Sequence, residues 1–153
     1  MNNLILVRHG QSEWNLENRF TGWVDVGLAA KGKLEACKAG ELIKELNLEL
    51  SYFYTSLQTR SIETLNLILN TMRIKDQNVI NAWELNERHY GALTGLNKDE
   101  MKKLYGEEKI HTFRRSWDNP PEPLKKTSPY HPLNISIYKN CLLYTSDAAD
   151  EED

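Results

Sequence analysis

The feature that most constrains the fold is a short apolar run, Leu4-Ile5-Leu6-Val7, that stops abruptly at Arg8-His9-Gly10. A run this short, apolar on both faces, predicts a strand buried in a parallel sheet rather than a helix. Parallel strands need crossover connections, usually helical, and the chain supplies candidates. Residues 29–46 read as a helix, with Leu34, Cys37, Ile43 and Leu46 near one stripe and Lys33, Glu35, Lys38 and Glu41 largely turned elsewhere. Tyr52-Phe53-Tyr54-Thr55 has aromatic strand character. Ser56 is placed to cap a helix from about Leu57 to Met72, with Ile62, Leu65, Ile68, Leu69 and Met72 inward. Val79-Ile80 is a weak third strand. Asn97 and Glu100 have capping-box-like spacing before Met101 and Leu104, and Gly106 can stop that helix. Strands alternating with helices predict an α/β fold with a mostly parallel sheet. Every proline lies between positions 120 and 132, which predicts a loop there.

The 153 residues suffice for one domain with one sizeable core. A net charge of -3 gives no global basic field for nucleic acid, so affinity for anions must come from a local cluster of Arg and Lys. No apolar run approaches the roughly 18 residues of a membrane helix, and residues 1–7 lack the pattern of a signal peptide. Cys37 and Cys141 form no disulfide framework or metal motif. The expected setting is the cytoplasm, with no nucleic-acid or membrane partner.

Ligands of open α/β sheets bind beyond the carboxyl ends of the strands. A histidine at the end of the first strand is therefore presented to a crevice. Gly10 lets the chain turn sharply there, with its backbone close to a ligand. A neutral imidazole can accept a phosphoryl group and split one hard transfer into two easier ones. Arg8 offers a planar fork of donors to phosphate oxygens. Taken alone, these residues are weak signals. A lone histidine after a strand is more often structural, and surface Arg, Lys and Glu are usually solvated. His89 reads best as a structural hydrogen-bonding group, and Trp14, Trp23 and Trp83 as packing residues.

The longer string from Leu6 to Asn15, Leu6-Val7-Arg8-His9-Gly10-Gln11-Ser12-Glu13-Trp14-Asn15, resembles the signature of the histidine phosphatase superfamily. Phe20-Thr21-Gly22-Trp23 and Asn86-Glu87-Arg88-His89-Tyr90-Gly91 are similar to its phosphoglycerate mutase branch. Leu96-Asn97-Lys98 and Phe113-Arg114-Arg115-Ser116-Trp117 agree in order and spacing, so the resemblance covers residues 3–125. It implies a three-layer α/β/α fold with a mostly parallel sheet. It also implies catalytic roles: His9 becomes a phosphohistidine, Arg8 and Arg60 surround the transferring group, and Glu87 is the general acid/base. Ser12, Asn15, Thr21, Gly22, Tyr90, Lys98, Arg114 and Arg115 would contact substrate with them. The implied reaction interconverts 3-phosphoglycerate and 2-phosphoglycerate in glycolysis and gluconeogenesis, with 2,3-bisphosphoglycerate as primer and intermediate and no metal. Such chemistry depends on positioning and on meeting the charge of the equatorial oxygens. Arg60, in the first turn of its helix, is expected to have the helix dipole beside it. The partners would be small phosphoglycerates, and many members of the branch are homo-oligomers.

Two departures qualify the resemblance. The branch uses a second histidine, in a later His-Gly segment on the strand beside the first. No histidine follows His131 here, and His131 stands between Tyr130 and Pro132. The stretch from Cys141 through Asp147-Ala148-Ala149-Asp150-Glu151 resembles a translated sequencing-library adapter. The expected organisation is thus a partial catalytic domain over 1–140, truncated before the C-terminal strands, and an artefactual tail over 141–153. Such a fragment would lack hydrogen-bond partners along strand edges and cover for apolar helix faces. It is expected to be partly unfolded or aggregation-prone, and inactive. The alternatives to the mutase reading are a histidine-type phosphomonoester phosphatase and an inactive fragment.

Overall fold

A computed structural model describes residues 3–75, 77–138 and 141. They belong to two compact units: Met1–Leu16 with Asp25–Asn86, and Glu17–Val24 with Glu87–Asp153. The tail expected over 141–153 lies, apart from the buried Cys141, outside the described residues.

The first unit begins with residues 3–10, which form no strand. This corrects the expectation for Leu4–Val7. A strand exists only by pairing, and among the described residues no ladder partner lies beside this run. Leu4 and Leu6 are 82% and 85% exposed. A short helix α1 (Glu13–Leu16) and a long helix α2 (Ala30–Glu45) follow. Strand β1 (Phe53–Thr55) leads into helix α3 (Thr59–Met72) and strand β2 (Val79–Asn81). The strands pair in parallel, with Phe53 opposite Val79 and Thr55 opposite Asn81. The β1–α3–β2 unit therefore has the parallel crossover that the alternation predicts.

Helix α2 buries Gly32, Ala36, Gly40 and Ile43, while Leu34 and Leu46 are exposed and Cys37 is half-buried. The inward face is thus a row of small residues, and the expected stripe is corrected except at Ile43. Small residues let the backbone come close. A Cβ on Gly40 would lie 2.9 Å from the Thr71 Cβ and 3.0 Å from the Ile68 carbonyl oxygen. Helix α3 buries Arg60, Thr64, Ile68 and Leu69. It starts at Thr59 rather than Leu57. Its first N–H is taken by Asp25, whose Oδ1 accepts from Thr59 N at 2.7 Å, while Ser56 Oγ accepts from Gln58 N at 3.3 Å.

The second unit centres on Phe20, Tyr90, Leu93 and Ile110, with Met101 and Phe113 packed against them. Two amphipathic helices supply much of this cluster: α4 (Lys98–Tyr105) and α5 (Glu107–Arg115). Asn97 caps α4 as expected, its side chain accepting from Asp99 N and Glu100 N at 2.9 and 3.2 Å. Gly106, at φ 87°, ends α4 in a conformation that favours glycine. Met101 turns inward but Leu104 is exposed. The proline-rich stretch is loop, ending in two short 3-10 turns, Pro132–Asn134 and Ser136–Tyr138. Tyr138 is buried, and its hydroxyl donates to the Trp23 carbonyl at 2.7 Å.

Candidate active site

In the first unit, His9 is fixed at both ring nitrogens. Its Nδ1 lies 2.7 Å from the Gly10 carbonyl oxygen. A carbonyl can only accept, so Nδ1 carries the proton and Nε2 keeps the lone pair. Arg60 Nε donates to that Nε2 at 3.3 Å. The lone-pair nitrogen thus faces a guanidinium, an arrangement that would suit a group receiving a phosphoryl anion.

Thr64 ties this pair to the helix. Its Oγ1 accepts from Gly10 N at 3.2 Å and donates to the Arg60 carbonyl at 2.8 Å. Gly10 serves closeness rather than an unusual turn. A Cβ there would lie 2.2 Å from the Gly32 carbonyl oxygen at the start of α2, and Gly10 is not among the positive-φ glycines. The end of α3 nearest Arg60 already holds the Asp25 carboxylate, which accepts from Thr59 N and from Thr59 Oγ1 at 2.7 and 2.8 Å. Part of the helix dipole is therefore met by the chain itself.

Arg8, expected beside Arg60, is exposed. Ser12 and Asn15 cap α1 reciprocally: Ser12 Oγ accepts from Asn15 N at 3.2 Å, and Asn15 Oδ1 accepts from Ser12 N at 3.3 Å. In this state both side chains have structural work.

In the second unit, Tyr90 donates its hydroxyl to Glu87 Oε1 at 3.2 Å. Burial pushes the Tyr90 phenol upward, and the Glu87 charge adds to it. Arg114 and Arg88 oppose that shift, which places their positive charge near the same hydroxyl. His89 fills the structural role expected of it: Nδ1 accepts from Gly91 N at 2.9 Å, and the ring stands edge-on to Trp23. Burial, then the nearby His131, holds the His89 imidazole below its ordinary value. Gly22, at φ 55°, lies against the Arg88 carbonyl, where a Cβ would be 3.1 Å away. Thr21 is buried, and its hydroxyl has no hydrogen-bond partner among the described residues. Lys98 Nζ lies 6.0 Å from the Phe20 ring centroid. Arg114 is half-buried and Arg115 exposed, both in the last turn of α5, where cations suit the helix dipole.

Sequence reasoning passed over Gln58, Asp25 and Thr64. Thr64 carried a readable signal, because Arg60 and Thr64 are four apart and form a polar stripe on the inward face of α3. Asp25 carried none, since its partner lies 34 positions away. Among the described residues, no cluster of three or more His, Cys, Asp or Glu side chains could hold a metal.

Residues 4–130 match the histidine phosphatase superfamily (branch 1). The chain belongs to this superfamily. Within the superfamily it is similar to the 2,3-bisphosphoglycerate-dependent phosphoglycerate mutase of Pelagibacter ubique (strain HTCC1062), 67% identical over 92% of this chain and 58% of that protein. The mutase of the same name from Hydrogenobaculum sp. (strain Y04AAS1) is 51% identical over 92% of this chain and 57% of its own length. Among solved structures, phosphoglycerate mutase from Bacillus anthracis str. Sterne superposes with a TM-score of 0.58 at 27% identity, covering 69% of this chain and 47% of that one. Bacillus stearothermophilus YhfR gives 0.59 at 29% identity, covering 69% and 50%. The chain thus spans a little over half the length of these curated superfamily relatives, and the described fold is the phosphoglycerate mutase-like α/β type.

Proposed function

We propose that the protein interconverts 3-phosphoglycerate and 2-phosphoglycerate by way of a phosphohistidine at His9, primed by 2,3-bisphosphoglycerate. The observation that carries this reading is the fixed tautomer of His9. Nδ1 is committed to the Gly10 carbonyl and Nε2 meets Arg60. The mutases of Pelagibacter ubique and Hydrogenobaculum, named for this activity, support the choice of substrate. In the proposed reaction His9 Nε2 attacks a phosphorus of the bisphosphoglycerate. The bond from phosphorus to the glycerate oxygen breaks, and that oxygen leaves as a hydroxyl after taking a proton from Glu87. In turnover the free hydroxyl of a bound monophosphoglycerate attacks the phosphorus on His9 and gives its proton to Glu87. The phosphorus–nitrogen bond breaks and 2,3-bisphosphoglycerate forms, which shifts in the pocket and returns its other phosphoryl group to His9 by the step just described. Arg8 and Arg60 would meet charge on the transferring group. Ser12, Asn15, Thr21, Gly22, Tyr90, Lys98, Arg114 and Arg115 would hold the glycerate and its phosphates. The primer requires no metal.

The activity is proposed for the whole protein to which residues 1–140 belong, and residues 141–153 are assigned no part in it. The second histidine that the resemblance implies has no counterpart in this sequence. We therefore propose that this chain alone does not complete the cycle. The proposed setting is the cytoplasm, and no helix of the described residues is long and apolar enough to cross a membrane.

The test compares isomerisation with release of free phosphate, with 2,3-bisphosphoglycerate supplied in catalytic amount. Primer-dependent isomerisation well in excess of phosphate release supports the mutase. Phosphate release without isomerisation would replace it with a phosphatase.

A further inference from the structure

Arg60 is 0% exposed and Gln58 is 1% exposed. A guanidinium so deeply buried must have its donors satisfied. Its Nη2 donates to Gln58 Oε1 at 2.9 Å, while its Nε donates to His9 Nε2 at 3.3 Å. The guanidinium is planar, so fixing two of its nitrogens fixes the plane in which it meets His9.

Gln58 does not do the work usual at its position, because another residue has taken it. It precedes α3 in an extended conformation, φ -79° and ψ 131°, at the position whose side chain ordinarily accepts a helix N–H. The Gln58 side chain makes no such cap. Asp25 supplies it to Thr59 N instead. The Gln58 backbone is held on both sides. Its N–H donates to Ser56 Oγ at 3.3 Å, and its carbonyl accepts from Ser61 and Ile62 at 2.9 and 3.1 Å.

The residue type also matters. An amide oxygen orients the guanidinium without adding a negative charge. A carboxylate at the same place would grip Arg60 more firmly, yet it would offset the charge that an anionic group on His9 must meet.

We propose that Gln58 is a positioning residue that sets the plane of Arg60 toward the phosphoryl group on His9 while leaving the arginine's charge undiminished. This rests on the reading of His9 as the phosphoryl carrier. The experiment separates the two by using readouts that do not need turnover. In the chain as it stands, NMR measures exchange of the Arg60 Nε–H with water and titrates inorganic phosphate, for the wild type, Gln58→Met and Gln58→Glu. The expected Gln58→Met result is Nε–H exchange about 10-fold faster and phosphate affinity about 10-fold weaker, the loss of one hydrogen bond to a charged group. Gln58→Glu should keep exchange as slow as wild type, yet lose phosphate affinity at least as far. These opposite orderings are what a merely structural glutamine would not produce.

Unchanged exchange in Gln58→Met, or wild-type phosphate affinity in Gln58→Glu, overturns the proposal. Loss of the folded spectrum in both variants overturns it too, because Gln58 would then be a folding residue. A wild-type Arg60 Nε–H that exchanges like a free arginine overturns it directly. Slow wild-type exchange without phosphate binding counts against the phosphohistidine reading. The exchange rates of the variants then still decide whether Gln58 holds Arg60.

Discussion

His9 and Tyr90 are held by different kinds of force. Around His9 the contacts are polar and backbone-to-backbone: the Gly10 carbonyl on Nδ1, Arg60 on Nε2, Thr64 bridging Gly10 and Arg60, and Gly10 lying directly on Gly32. Around Tyr90 the contacts are apolar. Phe20, Leu93 and Ile110 enclose the ring, with the Phe20 centroid 5.2 Å away, and only the hydroxyl reaches a charged partner, Glu87. Directional bonds fix the orientation of the imidazole, and close packing fixes the depth of a ring. The two units should therefore fail in different ways when disturbed.

The largest stability effect is expected in the apolar unit. Phe20→Ala should cost about 3–5 kcal/mol, through lost burial and a residual cavity. Faster exchange of the Gly95 amide and of the amide at position 20 would show it, since Gly95 N donates to the Phe20 carbonyl and Phe20 N to the Leu96 carbonyl. Near-normal exchange there would remove the aromatic ring from the centre of this unit. Gly10→Ala comes next, at about 1–3 kcal/mol from overpacking, because the new Cβ would meet the Gly32 carbonyl oxygen at 2.2 Å. Chemical denaturation reads this, and a neutral result would mean that the glycine contact does not fix the His9 turn. Asp25→Ala should cost about 0.5–2 kcal/mol, the usual loss for a helix cap. The matching sign is faster exchange of the Thr59 amide.

The smallest effect is acid sensitivity at His89. Its folded-state value is lowered from the ordinary 6.5, first by burial and then by the charge of His131. His131 is itself lowered by burial and by Lys126. A lowered value means that the unfolded chain binds the proton more readily. The His89 contribution is therefore complete above pH 6.5 and is lost as the pH falls through its lowered folded value. Protonation also places a proton on Nδ1, where the Gly91 N–H now points. Exchange of the Gly91 amide should rise on acidification beyond the intrinsic trend. If it does not, the ring is not acting as the acceptor.

Much of this architecture is legible in the sequence because local chemistry writes it there. Asn97 and Gly106 mark the ends of α4 through capping and a positive φ, and the apolar spacing of Ile68 and Leu69 locates the inward face of α3. Other features depend on partners that local patterns do not name. Leu4–Val7 has strand composition, yet pairing makes a strand, and the described residues give it no partner. Helix α2 misleads because its leucines, Leu34 and Leu42, are exposed while Gly32, Ala36 and Gly40, with Ile43, form its buried face. Close helix packing rewards small side chains, which a hydrophobicity pattern scarcely registers. At the site, the His9 motif can be read directly, whereas Gln58 and Asp25 can be read only from where their oxygens point.

The most direct measurement is to label the whole protein with 2,3-bisphosphoglycerate and identify the phosphorylated nitrogen by phosphorus–nitrogen coupling. Since Nδ1 is committed to the Gly10 carbonyl, the label should be acid-labile and base-stable, sit on Nε2 of His9, and vanish in His9→Ala. A label on Nδ1, or one that survives His9→Ala, would contradict it.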